Sequence, residues 1–414
     1  MKAPLKITQA ANSSKNIFYP LDLRLYSVVS YNISIGNKRF NFLVFFHIIF
    51  YNGWDGRIIM EQSKRLQYLD LVKAFGIILV VLGHIEYISD PLRTWLSSFH
   101  MPVFFIVSGI LLAHKQEDSL SFDTLLKKKT RGILIPYFWF SLLYFFIDIF
   151  NVWRGKITEL TFVKDLIASA TFYGVSVLWF LPALFIAEIG FLFLKKKLPD
   201  WICLPVVFIL AILSYLVQLS VKGIYTAHES SLVITTLIDF LRVFLRGFIA
   251  MSFVGLAYTL YPLLLRAGSF SLAELITGIV MFLINMFLSQ INGCVDFHYL
   301  VLGNVPLFYL CAFLGSASLI LISKNIRMKY LDPLLFFGRN SLIVMATHVN
   351  TYVLYAAILI AWQIDTIVTR AKHYVFLFNI MAFTFLFEAL IIVIIHRFFP
   401  FMLGKGTILW RKKD

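Results

Sequence analysis

Charge is scarce in this chain. Only 14% of its 414 residues are Asp, Glu, Lys or Arg, while 60% are hydrophobic, too few charges to coat a water-soluble fold of this length. Cysteine is nearly absent as well. Cys203, Cys294 and Cys311 form no CxxC pair, and no His/Cys cluster has metal-ligand spacing, so neither a metal site nor a disulfide framework is expected. No glycine-rich phosphate loop is present either. The formal charge of +15 does not point to nucleic acid, because the cations fall mostly in short loops between hydrophobic runs, where they set topology.

What the chain does have is apolar length. Runs such as LIPYFWFSLLYFFIDIF, VLWFLPALFIAEIGFLFL and FLFNIMAFTFLFEALIIVII approach or reach the roughly 20 residues needed to cross a bilayer. The reading is an all-α, polytopic transmembrane helical bundle of about ten spans. They fall near 69–88, 97–114, 133–151, 174–194, 201–219, 239–263, 270–290, 299–322, 335–359 and 375–396. Placing Lys64 and Arg65 inside puts Lys127, Lys128, Lys129, Arg131, Lys195, Lys196, Lys197, Lys324 and Lys329 on that side as well. The opposite side holds fewer cations, among them Arg93, Arg154, Lys156, Lys164 and Lys222, so both termini are expected in the cytoplasm. One membrane domain over 60–400 follows, with a basic tail at 401–414. Residues 1–59 are mixed and polar, and their apolar patch FLVFFHIIF (42–50) is too short to span. Met60 opens an ordinary cytoplasmic lead-in, so 1–59 are expected to be a disordered extension or to precede the native start.

The chemistry concentrates on polar groups inside apolar stretches, which are costly in lipid and so invite a functional reading. In LDLVKAFGIILVVLGH (69–84), Lys73 and His84 are eleven positions apart, which on a helix is nearly the same face and about 16 Å of rise. Asp70 lies three residues from Lys73 and can pair with it. Imidazole, with an ordinary pKa of about 6.5, suits His84 to take a proton from a hydroxyl, although Lys73 alone could simply snorkel to the headgroups. In SSFHMPVFFIVSG (97–109), His100 is expected at a depth comparable with His84, and Ser108–Gly109 permits close helix contact. The cluster KKKTR (127–131) reads first as a topology anchor, but Arg131 lies nearer the membrane and its fork suits a phosphate. Asp239, Arg242 and Arg246 can share one helix face. Asp239 and Arg242 can neutralise each other, leaving Arg246 to find a carboxylate, a carbonyl or a ligand anion. Asn340, Ser341 and His348 are the polar groups of FFGRNSLIVMATHVN (336–350), with Ser341 and His348 two turns apart. Glu188 is expected inside a span, and Trp179 is read as an interfacial anchor.

YLDLVKAFGIILVVLGH, FHMPVFFIVSGILL, RGILIPYFWF, LWFLPALFIAEI and GRNSLIVMATH occur in that order across residues 68–348. Together they make the chain resemble the integral-membrane acyltransferase-3 family, and especially its fucose 4-O-acetylase-like branch, from about residue 64 to 400. Lys73 and His84 match the family's basic-x10-His element, with Lys where many members have Arg. The resemblance implies transfer of an acyl group, usually acetyl from acetyl-CoA, to a hydroxyl of a cell-surface glycan or its lipid-linked precursor. Acetyl-CoA would be a co-substrate, with no tightly bound cofactor, and the setting would be the cytoplasmic membrane of a bacterium. His84 then falls at the family's essential histidine, as general base or as transient acyl carrier. Lys73 and Arg131 would hold CoA phosphates, with Arg246 a further candidate, and His100 would orient the acceptor or assist His84. Asp70, Ser108, Asn340, Ser341 and His348 would support them. A transporter or flippase for a lipid-linked sugar is the rival from another class. It would be indifferent to acyl-CoA, and the lack of an inverted repeat weighs against it. A catalytically silent scaffold would tolerate loss of His84.

Overall fold

The computed structural model describes residues 32–35, 38–41, 66–265, 271–326, 331–368 and 373–406. The chain divides into two units, Met1–Gly56 and Arg57–Asp414. In the first, β1 (Asn32–Ile35) pairs antiparallel with β2 (Lys38–Asn41), setting Ile33 opposite Phe40. This hairpin lies inside the expected 1–59 extension and confines the all-α description to the second unit. The rest of that extension, the Met60 lead-in and the last residues of the basic tail lie outside the described residues.

The second unit begins with α1 (Gln67–Gly83), whose 17 residues rise about 25 Å. The expected first span, 69–88, is therefore too long. Arg93, on α2 (Asp90–Ser97), explains the early stop. Its guanidinium donates to the carbonyls of Gly83 (3.0 Å), Ile85 (3.1 Å) and Glu86, capping groups that would otherwise want helical partners. A turn leads to α3 (Pro102–His114), where Pro102 sits in the first turn and its missing N–H costs little. The second span thus begins at Asp90 rather than at 97 and bends near residue 100.

Next, α4 (Phe122–Lys129) passes through a π-type turn, Thr130–Leu134, into α5 (Ile135–Trp153). There follow α6 (Glu159–Ala170), α7 (Phe180–Lys197), α8 (Asp200–Ala227), α9 (Leu232–Leu265), α10 (Leu272–Asn292) and α11 (Val305–Asn325). Among the described residues, seven helical stretches are long and apolar enough to cross a membrane. Side chains such as Leu213, Leu216, Leu283 and Phe287 stand exposed on α8 and α10, as expected where lipid rather than water is the solvent. The expected span 335–359 is not one rod. It is α12 (Asp332–Arg339), α13 (Ser341–Thr347) and α14 (Val353–Val368), before α15 (His373–Phe398) closes the bundle. Asn340 makes the first break, its amide donating to the Phe336 carbonyl at 2.8 Å while its Oδ1 accepts from His396 on α15 at 2.6 Å.

Two glycines set how closely the helices that carry the polar groups approach. A Cβ on Gly109 of α3 would meet the Val254 carbonyl of α9 at 2.2 Å. One on Gly338 of α12 would meet the Asp70 carbonyl of α1 at 1.8 Å. Backbone touches backbone at both places, which only glycine allows.

Candidate active site

Polar groups gather at two adjoining cavities. The first, about 250 Å³, is lined by Lys73 of α1, Ser108 of α3, Lys115, Glu117, Lys129 of α4, Glu188 of α7 and Ser341 of α13. Asp70 binds Lys73 at 2.8 Å and is also reached by Arg339 of α12 at 3.5 Å, so it holds two cations from a nearly fully buried position. Lys129 is buried between two carboxylates, Glu117 at 2.7 Å and Glu188 at 2.8 Å. Lys128 adds a contact to Glu117 at 2.9 Å, and the Ser108 hydroxyl donates to Glu188. Three cations (Lys73, Lys115, Lys129) and two carboxylates (Glu117, Glu188) line the cavity, and Lys128, Arg339 and Asp70 pair with groups beside it, so this end carries a surplus of positive charge in a mostly apolar wall. Such a surplus is suited to a multiply charged anion.

Burial pushes the Glu117 carboxyl up, but the charge and hydrogen bond of Lys129, aided by Lys128, outweigh it and hold Glu117 below the usual carboxylate range. A carboxylate depressed in the folded state contributes stability above its unfolded pKa and loses it as pH falls through the folded value. The thermal unfolding midpoint in detergent is therefore expected to drop on acidification below about pH 4, and to drop less in Glu117→Gln. Equal acid sensitivity of the two proteins would contradict this account.

The second cavity, about 360 Å³, is lined by His84, Arg93, Ser97, His100, Trp179, Cys294 and His298 among others. It shares Val80, Met101 and Met345 with the first, so the two adjoin, with Lys73 lining one and His84 the other. His84 does not lie well inside a helix. It follows directly on the end of α1 and is exposed to this cavity. Its Nδ1 lies 2.8 Å from the Val80 carbonyl, and His100 Nδ1 lies 2.7 Å from the Leu96 carbonyl. A carbonyl oxygen can only accept, so each Nδ1 carries the proton and each Nε2 keeps its lone pair as a base. The two imidazoles, one beyond α1 and one between α2 and α3, thus come to one cavity in the same tautomer.

The loop between α10 and α11 closes this end. Val295 N–H donates to Ser97 Oγ at 3.0 Å, while the ring of Trp179 stacks on Phe297 and on His298, each at 5.7 Å between centroids. Burial first, then the guanidiniums of Arg246 and Arg242, push His298 down to about 2, so it lines the cavity as a neutral ring. Arg246 is the post that fixes this cover. It is almost fully buried, donates from Nε to the His298 carbonyl (2.7 Å) and from Nη1 to the Tyr173 carbonyl (3.0 Å), and lies over the Tyr173 ring.

The sequence-predicted residues therefore divide. Lys73, Ser108 and Ser341 line the first cavity, and His84 and His100 line the second. Asp70 stands behind Lys73, and His348 stands against His84, its Nε2 3.4 Å from His84 Nδ1. Asn340 is a joint between helices rather than a cavity residue. Arg246, expected among the donor ligands, lines neither cavity and binds carbonyls at the histidine end. Arg131, expected beside Lys73, is exposed and donates to the Gly404 carbonyl at 2.5 Å. The π-type turn that begins at Thr130 adds a residue to the turn, so faces extrapolated from regular helix spacing do not carry across it. Asp239 and Arg242 pair at 2.8 Å, as their spacing implied.

Lys129, expected as a topology anchor, lines the first cavity, and Trp179, expected as an interfacial anchor, lines the second. Lys115 counted only toward the inside-loop charge, and Glu117, His298 and Arg339, which stand in loops or beside motifs, carried no role. Only the position of Arg339, immediately before Asn340 and Ser341, carried a hint. Among the described residues no group of three or more His, Cys, Asp and Glu could hold a metal ion. A family model described as an acyltransferase domain matches residues 66–398. No curated protein and no solved structure matches the chain.

Proposed function

The chain belongs to the acyltransferase-3 family and is a membrane acyltransferase, and on that premise we propose that it moves acetyl from acetyl-CoA to a hydroxyl of a cell-surface glycan or its lipid-linked precursor. The observation that carries this reading is the pair of adjoining cavities, one cationic and the other imidazole-lined. In this reading the CoA diphosphate sits among Lys73, Lys115 and the Lys128–Lys129 cluster. The pantetheine arm lies along the apolar passage at Val80, Met101 and Met345, and the thioester reaches the histidines. The Lys73–His84 spacing of about 16 Å is of the order of that extended arm. The acceptor oxygen attacks the thioester carbonyl and its proton goes to His84 Nε2. The new C–O bond forms as the C–S bond breaks, and the leaving thiolate takes the proton from His84 Nε2, which restores the base. His100 Nε2 orients the acceptor hydroxyl.

The surplus of Lys and Arg on the loops beside the donor end supports cytoplasmic termini and a donor bound from the cytoplasm. The acceptor then meets the histidines from the other side of a bacterial cytoplasmic membrane, across about ten spans. Fucose or a related sugar is the acceptor that the resemblance to the fucose 4-O-acetylase-like branch suggests. Purified protein in proteoliposomes, given radiolabelled acetyl-CoA on one face and glycan acceptor on the other, tests the whole reading. Label appearing on the glycan supports it, and transfer only to acceptor on the donor's own face would exclude passage across the bilayer.

The donor assignment has its own test. Lys73→Ala is expected to raise the KM for acetyl-CoA about tenfold, roughly 1.4 kcal/mol of lost binding. Arg131→Ala, outside the path, is expected to leave that KM within about twofold. The reverse pattern would return the phosphate site to Arg131.

A further inference from the structure

We infer that His348 is a positioning residue for His84, holding the catalytic imidazole in one tautomer and orientation from behind. The inference rests on the acyltransferase reading above and names a part of its machinery.

His348 ends α13 and is fully buried, lining neither cavity. Its Nδ1 lies 2.8 Å from the Val344 carbonyl and 3.1 Å from the Met345 carbonyl. Two acceptors at that nitrogen require the proton there, so His348 Nε2 carries a lone pair. That lone pair faces His84 Nδ1 at 3.4 Å, with the rings edge to face at 77°. His84 Nδ1 already carries its proton because of the Val80 carbonyl. Its N–H is therefore shared between Val80 O and His348 Nε2. Both rings hold hydrogen on Nδ1, and of this pair the lone pair left facing the cavity is His84 Nε2.

The consequence is chemical. When His84 takes the acceptor's proton on Nε2, positive charge spreads to Nδ1–H, and a hydrogen bond from a charged donor is about twice as strong as from a neutral one. His348 and the Val80 carbonyl both gain in the charged state, so the pair favours the proton-accepting step over the resting state. Such triads more often place a carboxylate in this role. Here the position is filled by a neutral ring, which adds no buried negative charge to the bundle.

A comparison of His348→Gln with His348→Asn tests this, because both are polar and similar in size. Glutamine can set its amide oxygen near the place of Nε2 and still accept from His84, whereas asparagine reaches only the place of Nδ1. In purified enzyme, His348→Gln is expected to keep kcat within about threefold of wild type. His348→Asn is expected to lose about 10²-fold in kcat with the KM for acetyl-CoA unchanged. In a His84→Ala background, His348→Asn is expected to have no further effect, since it acts only through His84. Equal activity of the two variants overturns the inference, as does an additive loss on top of His84→Ala. Absence of acetyl transfer by the wild type overturns the acyltransferase reading and this inference with it. Wild-type transfer with an indifferent His348 overturns the inference alone.

Discussion

Replacing His84 with alanine is expected to remove acyl transfer almost entirely while leaving the protein in the membrane. A positioned general base contributes on the order of 10²–10⁴ in rate. His84 supplies it from an exposed position on the cavity wall, so the substitution opens space rather than a buried hole. The measurement is acetate on surface glycans by mass spectrometry in cells carrying wild type, His84→Ala or no protein. It is paired with acetyl-CoA turnover by purified enzyme and an immunoblot of the membrane fraction. His228→Ala, on an exposed histidine outside both cavities, serves as the control and is expected to match wild type. Acetylation lost only in cells without the protein would mean that His84 is not the base. An unchanged pattern in all three would turn the assignment toward transport.

The largest structural effect is expected from Gly338→Ala. Its new Cβ, fixed rigidly to the backbone, would stand 1.8 Å from the backbone carbonyl oxygen of Asp70. Neither side can rotate away, so α12 must separate from α1. Overpacking of this kind costs about 1–3 kcal/mol and more where backbone must move. The separation also pulls Arg339 from Asp70 and so disturbs the carboxylate that holds Lys73. Thermal unfolding in detergent is expected to show a clear drop in midpoint, together with a raised KM for acetyl-CoA. Gly83→Ala is the matched control. Nothing lies within 4 Å of a Cβ there, and alanine in a helix is favoured over glycine by about 0.5–1 kcal/mol. Stability should hold or rise slightly. A tolerated Gly338→Ala would mean that the α1–α12 contact is looser than the structure has it.

Hydropathy and loop charge made the membrane bundle legible because hydrocarbon leaves a chain few options beyond long apolar helices. The Asp70–Lys73 and Asp239–Arg242 pairs were legible for a similar reason, since three residues along a helix is a fixed distance. His84 and His100 stood out as polar groups in apolar runs, a signal that needs no knowledge of neighbours. The same signal pointed to Glu188 but could not say that Ser108 and Lys129 would meet it, from positions 80 and 59 residues earlier in the chain.

Local spacing failed wherever the helix itself departed from regularity. Across the π-type turn that follows Lys129, Lys129 lines the first cavity while Arg131 lies outside it. The cap supplied by Arg93 ended α1 at Gly83 and turned a buried histidine into one exposed to a cavity. The breaks at Asn340 and beyond Thr347 set His348 behind His84 rather than along a single rod. By itself, then, the sequence determined the solvent the protein lives in, the polar groups it pays to keep there, and their spacing within single helices. The tertiary structure alone decided which of them meet, because contact between helices depends on caps, turns and glycine approaches that bring distant segments within a few ångströms.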